Sequence, residues 1–315
     1  MFQKNNYTGD PSEIVQNFPK FNLQLLCCRF WWLLNWEYPQ LAFPYWRIYY
    51  NTQPGGFIRA ENHIYPLRPD RLYLIAPNTR YSSWLYDHSV VAGSYQLKGG
   101  RIADLGEEKR RKLHEEGAIE HLFIHFTAGY PYDNVKQGVF EFELTPYLQN
   151  KVAAMQQYLS HEVAKINFSF FLCAQSLICE LFGHIDPEKW ELSFQDERIG
   201  KVMLYIENNI DKELSNEQLA KITCMSTNAF AHLFKEETGI PLQRYIKNKR
   251  INQACVRLIH SHDTIDTIAE NSGFSNRYHF TRVFREIKKT SPARYRKEFP
   301  ATAMGCFSSP TIHPN

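Results

Sequence analysis

Five side chains capable of specific hydrogen bonding occur at similar places in two segments that lie about fifty residues apart. Asn228 and His232 belong to the first segment, and Arg277, Tyr278 and Arg282 belong to the second. An arginine can donate two hydrogen bonds to guanine, and an asparagine can bond twice to adenine. They belong to a larger set of nine positions in these segments that we expect to be exposed and that could meet the edges of DNA bases: Thr227, Asn228, Ala231, His232, Asn276, Arg277, Tyr278, His279 and Arg282.

Hydroxyl and cationic side chains flank these five positions. Groups of this kind typically bond to phosphate oxygens, which fixes the orientation of a protein on DNA without reading its sequence. The candidates for phosphate contact are Ser226, Lys235, Ser275, Arg285, Lys288 and Lys289.

Residues 214–235 predict a short helix, a turn and a second helix that would present the first group. Ser215 and Gln218 have the spacing of a capping box at the start of the short helix. Ser226 is a good N-cap for the second helix. The segment therefore reads as a helix-turn-helix unit, in which the second helix enters the major groove.

Residues 264–285 repeat this pattern. Thr264 predicts the N-cap of a short helix, Gly273 predicts the turn, and Ser275 predicts the N-cap of the second helix. One such unit alone is equally compatible with an ordinary surface helix. Two units with similar caps and similar buried phenylalanines favour DNA binding strongly.

Positive charge is concentrated around the second unit. Residues 242–299 contain 13 Lys and Arg against 5 Asp and Glu, whereas residues 196–241 contain 5 against 8. A long helix between the units is predicted to expose four of these cations, Lys247, Lys249, Arg250 and Arg257. A basic half on a chain with a formal net charge of only +3 is typical of proteins that bind a polyanion.

Four segments give a more specific indication. They are IAENSGFSNRYHFTRVFR (268–285), TSPARYR (290–296), FKEETGIPL (234–242) and YIKNKRI (245–251). Together they resemble the AraC/XylS family of bacterial transcription regulators. The resemblance implies double-stranded DNA as a partner, one major groove for each unit, and RNA polymerase as the partner of an activator. Carried over by position, the base-reading sites of the family fall on the five residues named first, although His232 stands where the family often has arginine.

The first half of the chain predicts a β-rich unit followed by helices. Strand patterns cover 46–50, 57–64, 71–75 and 121–126, which suits a sandwich or small barrel. Residues 145–183 then have a helical period with a wide apolar stripe, which either covers the sheet or pairs with a second copy. The predicted fold class is α+β, with a cupin-like barrel and helical dimerisation segment in 1–190. An all-α domain with two helix-turn-helix units occupies 195–300.

Residues 46–82 resemble the cupin-type sensing domain of these regulators, in which a small molecule, often a sugar, binds inside the barrel. Aromatic faces can stack on a sugar-like effector, and arginine can bond its hydroxyls. The candidates are Trp46, Tyr50, Arg80, Tyr81 and Trp84. The alternative is that these aromatics simply fill the barrel.

Metal ions and cofactors are not predicted. His121 and His125 can share a strand face, but the His-x-His pattern followed by Glu that is typical of metal-binding cupins is absent. The seven cysteines have no regular spacing, and Cys173, Cys179, Cys224 and Cys255 are interpreted as small core residues. The first residues do not resemble a signal peptide, and the longest apolar run is too short to span a bilayer. These observations favour a cytoplasmic protein that is not a membrane protein.

The leading hypothesis is a homodimeric transcription activator that responds to a small-molecule effector. The alternative is a ligand-independent regulator whose N-terminal domain only dimerises. An enzyme built on the barrel would need a metal triad or an acid–base pair, and neither is found. An alkyl-transfer protein would need a four-cysteine zinc site, which Cys27 and Cys28 alone do not supply.

Overall fold

A curled antiparallel sheet forms the first part of the computed structural model, which describes residues 21–86, 96–161, 167–190 and 196–298. Among these residues the strands are β1 (Gln24–Leu41), β2 (Trp46–Asn51), β3 (Gly56–Ala60), β4 (His63–Leu67), β5 (Arg71–Ile75), β6 (Tyr81–Leu85), β7 (Gln96–Arg101), β8 (Ile119–Thr127) and β9 (Val139–Glu143). Their order is β4-β3-β6-β1-β8-β2-β5-β9, with β7 paired to β1. The sheet therefore has β4 and β9 at its two edges and does not close.

One strand prediction needs correction, and four strands, β1, β6, β7 and β9, were not predicted. The expected strand over 57–64 is a hairpin, because Glu61 adopts φ of 53° in the turn between β3 and β4. The 18-residue strand β1 was missed, since side chains on both of its faces are buried. Burial on both faces gives an apolar run without the polar alternation that marks a half-buried strand.

The two faces of the sheet pack into different cores. One face, which carries Trp46 and Ile124, packs under two helices, α2 (Pro146–Leu159) and α3 (Phe168–Gly183). The other face lies inside the curl, where Ile58 of β3 and Tyr73 of β5 join one cluster. The apolar stripe of 145–183 thus covers the sheet, as the first of the two interpretations expected.

Eight further helices complete the described residues. They are α1 (Glu107–Glu115), α4 (Glu197–Asn208), α5 (Asn216–Ile222), α6 (Thr227–Thr238), α7 (Leu242–His260), α8 (Ile265–Asn271), α9 (Arg277–Lys288) and α10 (Pro292–Glu298). The predicted α+β class is confirmed, with helices as the regular elements of residues 196–298.

Helix α7 belongs to two helical cores. Its first turns contribute Leu242 and Ile246 to the core of α4, α5 and α6. Its later turns contribute Ile251 and Leu258 to a cluster with α8, α9 and α10, which also includes residues from inside the curled sheet. The proposed division into 1–190 and 195–300 stays a prediction, and buried contacts extend across it.

Cysteines are distributed differently from the expectation. Cys255 is buried in α7, but Cys179 and Cys224 are exposed, and Cys173 is half-buried. Cys224 lies in the turn before α6 with φ of 54°, so it is a turn residue and not a core residue. Among the described residues, none of the six cysteines forms a disulfide.

Candidate nucleic-acid interface

The first helix-turn-helix unit consists of α5 and α6, and Ser215 and Ser226 are their N-caps, although only the Ser215 half of the predicted capping box is formed. The Ser215 hydroxyl accepts a hydrogen bond from the Gln218 amide at 3.1 Å, and the Ser226 hydroxyl accepts one from the Ala229 amide at 3.4 Å. Helix α6 is anchored by Phe230 and Phe234, both fully buried. Burying a side chain of this size stabilises the folded state by roughly 1.5–3 kcal/mol. The two phenylalanines therefore hold the helix in a fixed orientation.

The predicted contact residues of this unit lie on the solvent side of α6. Asn228, His232 and Lys235 are exposed, and Ser226 is exposed at the N-cap. His232 Nδ1 lies 3.7 Å from a carboxylate oxygen of Glu236, one helical turn further on. This acidic neighbour makes the face less positive than that of the second unit.

The second unit consists of α8 and α9. The Thr264 hydroxyl caps α8, as predicted, and Gly273 makes the turn with φ of +75°. The N-cap of α9 is Asn276 and not Ser275, because the Asn276 carboxamide oxygen accepts a hydrogen bond from the His279 amide at 2.8 Å. Ser275 lies one residue before the cap, exposed to solvent.

Helix α9 has one apolar face and one strongly exposed basic face. Phe280 and Phe284 are fully buried, whereas Tyr278 is 87% exposed. Three arginines are exposed on the face of α9 that carries Tyr278 or at the margin of that face: Arg277, Arg282 and Arg285. The structure thus brings together the three predicted base readers of this unit.

Two residues of this unit have side-chain partners within the protein, and a third has an unusual backbone conformation. Arg277 donates to Asp266 of α8 at 3.0 Å, so it must exchange this ion pair for any contact with DNA. Lys288 donates to the Asn252 side chain of α7 at 3.2 Å. Lys289 ends α9 in the left-handed region with φ of 58°.

Arg250 of α7 bonds the segment that leads into the first unit. Its guanidinium donates to the carbonyl oxygens of Ile210 at 2.9 Å and Lys212 at 2.5 Å, both in the connection between α4 and α5. Lys249 likewise turns inward, with its ammonium 3.1 Å from Glu207. The prediction that α7 exposes both residues is wrong, because these cations bond to acceptors on neighbouring elements.

The predicted effector residues do not converge on one site. Trp46 and Tyr50 contact the core under α2 and α3, while Tyr81 lies inside the curl. Trp84 is buried against Phe57, with the two rings stacked at 5.6 Å. Arg80 is exposed on the approach to the edge of the sheet.

Arg47 is a buried cation that was not among the predicted effector residues. Its guanidinium donates to the Tyr45 and Tyr49 hydroxyls at 2.9 Å each, and also to the Tyr81 hydroxyl. Burial by itself lowers the pKa of Arg47, but the surrounding tyrosine oxygens outweigh burial and raise it well above its usual value. Alternation along a strand over 46–50 puts Arg47 and Tyr49 on one face, and this is the signal that the sequence offers for the pair.

A cleft of about 820 Å³ opens where the sheet fails to close. Its walls include His63 and Tyr65 of edge strand β4, Val139 and Phe140 of edge strand β9, and Arg80. Its volume is within the range typical of small-molecule sites. Of the five predicted effector residues, Arg80 is the one that lines this cleft.

Comparison with known proteins links these helices to transcription regulators. A family model described as a helix-turn-helix domain matches residues 219–298. The transposon Tn10 TetD protein of Escherichia coli is 34% identical over 115 residues, which cover 36% of this chain and 83% of that protein. An uncharacterised helix-turn-helix transcriptional regulator, SAR0107 of Staphylococcus aureus, is 28% identical over 262 residues.

The SAR0107 alignment covers 78% of this chain but only 31% of that larger protein. Among solved structures, an AraC-type DNA-binding regulator from Chromobacterium violaceum is 25% identical, with a TM-score of 0.32. That match covers 33% of this chain and 93% of the other. Among the described residues, none of the helices is both long and apolar enough to cross a membrane.

Proposed function

Because the chain belongs to the AraC/XylS family of helix-turn-helix transcription regulators, it is a DNA-binding regulator, and we propose that α6 and α9 read two successive major grooves. The exposed face of α9 is the observation that carries this proposal. Arg277, Tyr278 and Arg282 extend from a helix that Phe280 and Phe284 hold firmly in the core. Such an arrangement suits direct contact with base edges.

The two helices make unequal contributions in this proposal. Helix α9 reads bases through Arg277, Tyr278 and Arg282, whereas α6 reads through Asn228 and His232 beside the acidic Glu236. Phosphate contacts come from Ser226, Lys235, Ser275, Arg285, Lys288 and Lys289. The asymmetry follows from the charge of the segments, since residues 242–299 hold most of the excess cations.

The N-terminal sheet binds a small polar effector, for example a sugar-like molecule, in the cleft between β4 and β9. Support comes from the volume of about 820 Å³ and from the hydrogen-bonding groups of His63, Tyr65 and Arg80 on its walls. In the ligand-independent alternative, the sheet serves only to dimerise the protein. Thermal-shift screening with sugars and small acids separates the two, because consistently unchanged melting temperatures for the full chain favour the alternative.

The protein acts in the cytoplasm as a homodimeric activator that contacts RNA polymerase. An apolar surface on α3 supports the dimer, since Phe168 is 73% exposed and Leu172 is 46% exposed. Transcription in vitro tests the activator role: adding the protein to RNA polymerase and a promoter that carries its binding site should increase transcript. An unchanged or reduced amount of transcript contradicts activation.

Selection of binding sites from random double-stranded DNA tests DNA reading, followed by fluorescence anisotropy on the recovered site. Arg282→Ala should weaken binding to that site by about 5- to 150-fold, the cost of one bidentate base contact, and should relax the preference at one base pair. Arg111→Ala on α1 is the matched control, because Arg111 is an exposed arginine with only a distant partner, Glu115. Loss of affinity for all sequences alike would identify Arg282 as a phosphate contact and contradict its role as a base reader.

A further inference from the structure

Three potential metal ligands meet where the inside of the curled sheet contacts the end of α7. Cys27 of β1 and His125 of β8 are directly paired in the antiparallel register, and His260 is the last residue of α7. The Cys27 sulfur and one ring nitrogen from each histidine all lie within 4.8 Å of one another. A thiolate and two imidazoles form a ligand set that soft transition-metal ions prefer.

His125 points to a missing ligand. Its side chain is 1% exposed, yet neither ring nitrogen has a hydrogen-bond partner among the described residues. Leaving such a polar group unsatisfied in the interior costs roughly 1–3 kcal/mol. Its surroundings are rings, since Phe123 and Tyr45 each lie with centroids 5.2 Å from that of His125. A metal ion bound to one of the His125 ring nitrogens would supply the partner that the neighbouring side chains do not provide.

The size of the cluster is compatible with one ion after a small adjustment. Ligand atoms held at about 2.0–2.3 Å from a common metal lie within about 4 Å of one another. Atoms separated by up to 4.8 Å therefore need to approach by less than about 1 Å. Rotation of the His260 ring at the end of α7 can supply that movement, because this residue is only partly buried.

Charge and ligand number select the ion. Arg47 is paired with His125 in the register of β2 and β8, and Arg29 is buried two residues from Cys27 on the same strand. Copper(I) bound to one thiolate and two neutral imidazoles adds no net charge beside these cations, whereas zinc(II) adds one positive charge. Structural zinc sites also take four protein ligands, and this cluster offers three.

We propose that Cys27, His125 and His260 bind one copper(I) ion and thereby fasten α7 to the inside of the sheet. The bound ion connects the part of the chain with the effector cleft to the helix shared by both helix-turn-helix units. Metal loading would thus stabilise the contact between them, because binding adds its free energy to the state in which all three ligands are together. This proposal does not depend on any base-reading assignment.

The test is a titration of the full-length reduced protein with copper(I) under anaerobic conditions, in competition with the colorimetric chelator bicinchoninate. Cys179 and Cys224 are replaced by serine in all samples, because these exposed thiols would bind copper unspecifically. One equivalent per chain is expected. Cys27→Ser and His260→Gln should each weaken binding at least about 100-fold, since each removes a direct ligand.

Cys28→Ser is the matched control, because Cys28 is the adjacent residue on β1 but belongs to the core on the opposite face. It should keep its copper. X-ray absorption at the copper edge of the protein with Cys27, His125 and His260 intact, and with the same Cys179→Ser and Cys224→Ser background, gives a readout that does not depend on any ligand variant folding; one sulfur and two nitrogen neighbours are expected.

Several results would overturn the proposal. These are no bound copper, retention by Cys27→Ser or His260→Gln, loss in Cys28→Ser, or a copper environment without sulfur. One equivalent of zinc(II) that copper(I) fails to displace would overturn the choice of ion.

Discussion

Gly273 and Gly239 allow a direct test of how the two helix-turn-helix units are held together. The two glycines have nearly the same left-handed backbone, with φ of +75° and +73°. An added Cβ at Gly273 would lie 2.7 Å from the Ile210 carbonyl oxygen and 2.8 Å from the Arg250 guanidinium. An added Cβ at Gly239 would meet nothing within 4 Å. Alanine therefore has the same backbone cost at both sites but a steric cost at only one.

The expected magnitudes follow from these contacts. The left-handed backbone costs an alanine about 1–2 kcal/mol, so Gly239→Ala should lower the free energy of unfolding by about that amount. Gly273→Ala adds overpacking of about 1–3 kcal/mol. It also disturbs Arg250, whose bonds to the Ile210 and Lys212 carbonyls are each worth about 1.5–3 kcal/mol. Gly273→Ala should therefore lower the free energy of unfolding by about 3–5 kcal/mol.

Urea denaturation of the full chain, followed by circular dichroism, measures the difference. Both variants should keep the native dependence on urea concentration, so that a shifted midpoint reports stability. Gly273→Ala should exceed Gly239→Ala by at least about 2 kcal/mol. Equal losses of unfolding free energy in the two variants would refute the reasoning, because they would mean that Arg250 and the Ile210 carbonyl can move away from the added methyl group without a free-energy cost.

Three further predictions concern single residues. Asn276→Ala should lower the free energy of unfolding by about 1 kcal/mol in urea denaturation, because Asn276 is the N-cap of α9. Ser275→Ala should change it by less than about 0.5 kcal/mol. The reverse order of the two losses would identify Ser275 as the cap. Burial raises the pKa of Asp133 to about 6, so its protonated form contributes stability that is full below about pH 4 and is lost as pH rises through about 6. Asp133→Asn should therefore flatten the fall in unfolding free energy between pH 4 and 6, measured by urea denaturation at each pH, and an unchanged slope would contradict this origin. Phe168→Ser should shift the sedimentation coefficient towards that of the monomer. Ile64→Ser removes another exposed apolar side chain and should leave the sedimentation coefficient unchanged. Identical behaviour of the two variants would contradict a dimer interface at α3.

The helical elements could be predicted from the sequence because their determinants are local. Ser215, Ser226 and Thr264 cap their helices through the amide three residues later, a spacing that is visible in the sequence. Asn276 was missed for the same local reason, since Ser275 next to it is an equally good capping residue. The two adjacent candidates differ only in which of them directly precedes the first helical residue. That position depends on how the preceding turn at Gly273 packs.

The interior of the sheet could not be predicted, because its contacts depend on strand order. Arg47, Tyr81 and His125 come from three strands far apart in sequence. Alternation on β2 indicated which residues share a face, but not which face lies inside the curl. The same limit applies to Cys27 and His260, which approach only after β1 pairs with β8 and α7 packs against the sheet.

In the proposed function, helix α7 would carry a change in the sheet to the reading helices. Its 19 residues extend roughly 28 Å, from a first turn in the core of α6 to His260 beside His125. Since the helix contributes to the cores of both units, and its Arg250 bonds the α4–α5 connection that precedes the first unit, neither unit can move on α7 without breaking these contacts. A shift of α7 against the sheet would thus carry α6 and α9 together and keep their separation. We infer that an effector bound in the cleft of the sheet changes the DNA affinity or the orientation of the reading helices and leaves the spacing of the two DNA segments unchanged. Binding sites selected with and without an effector should therefore have the same spacing.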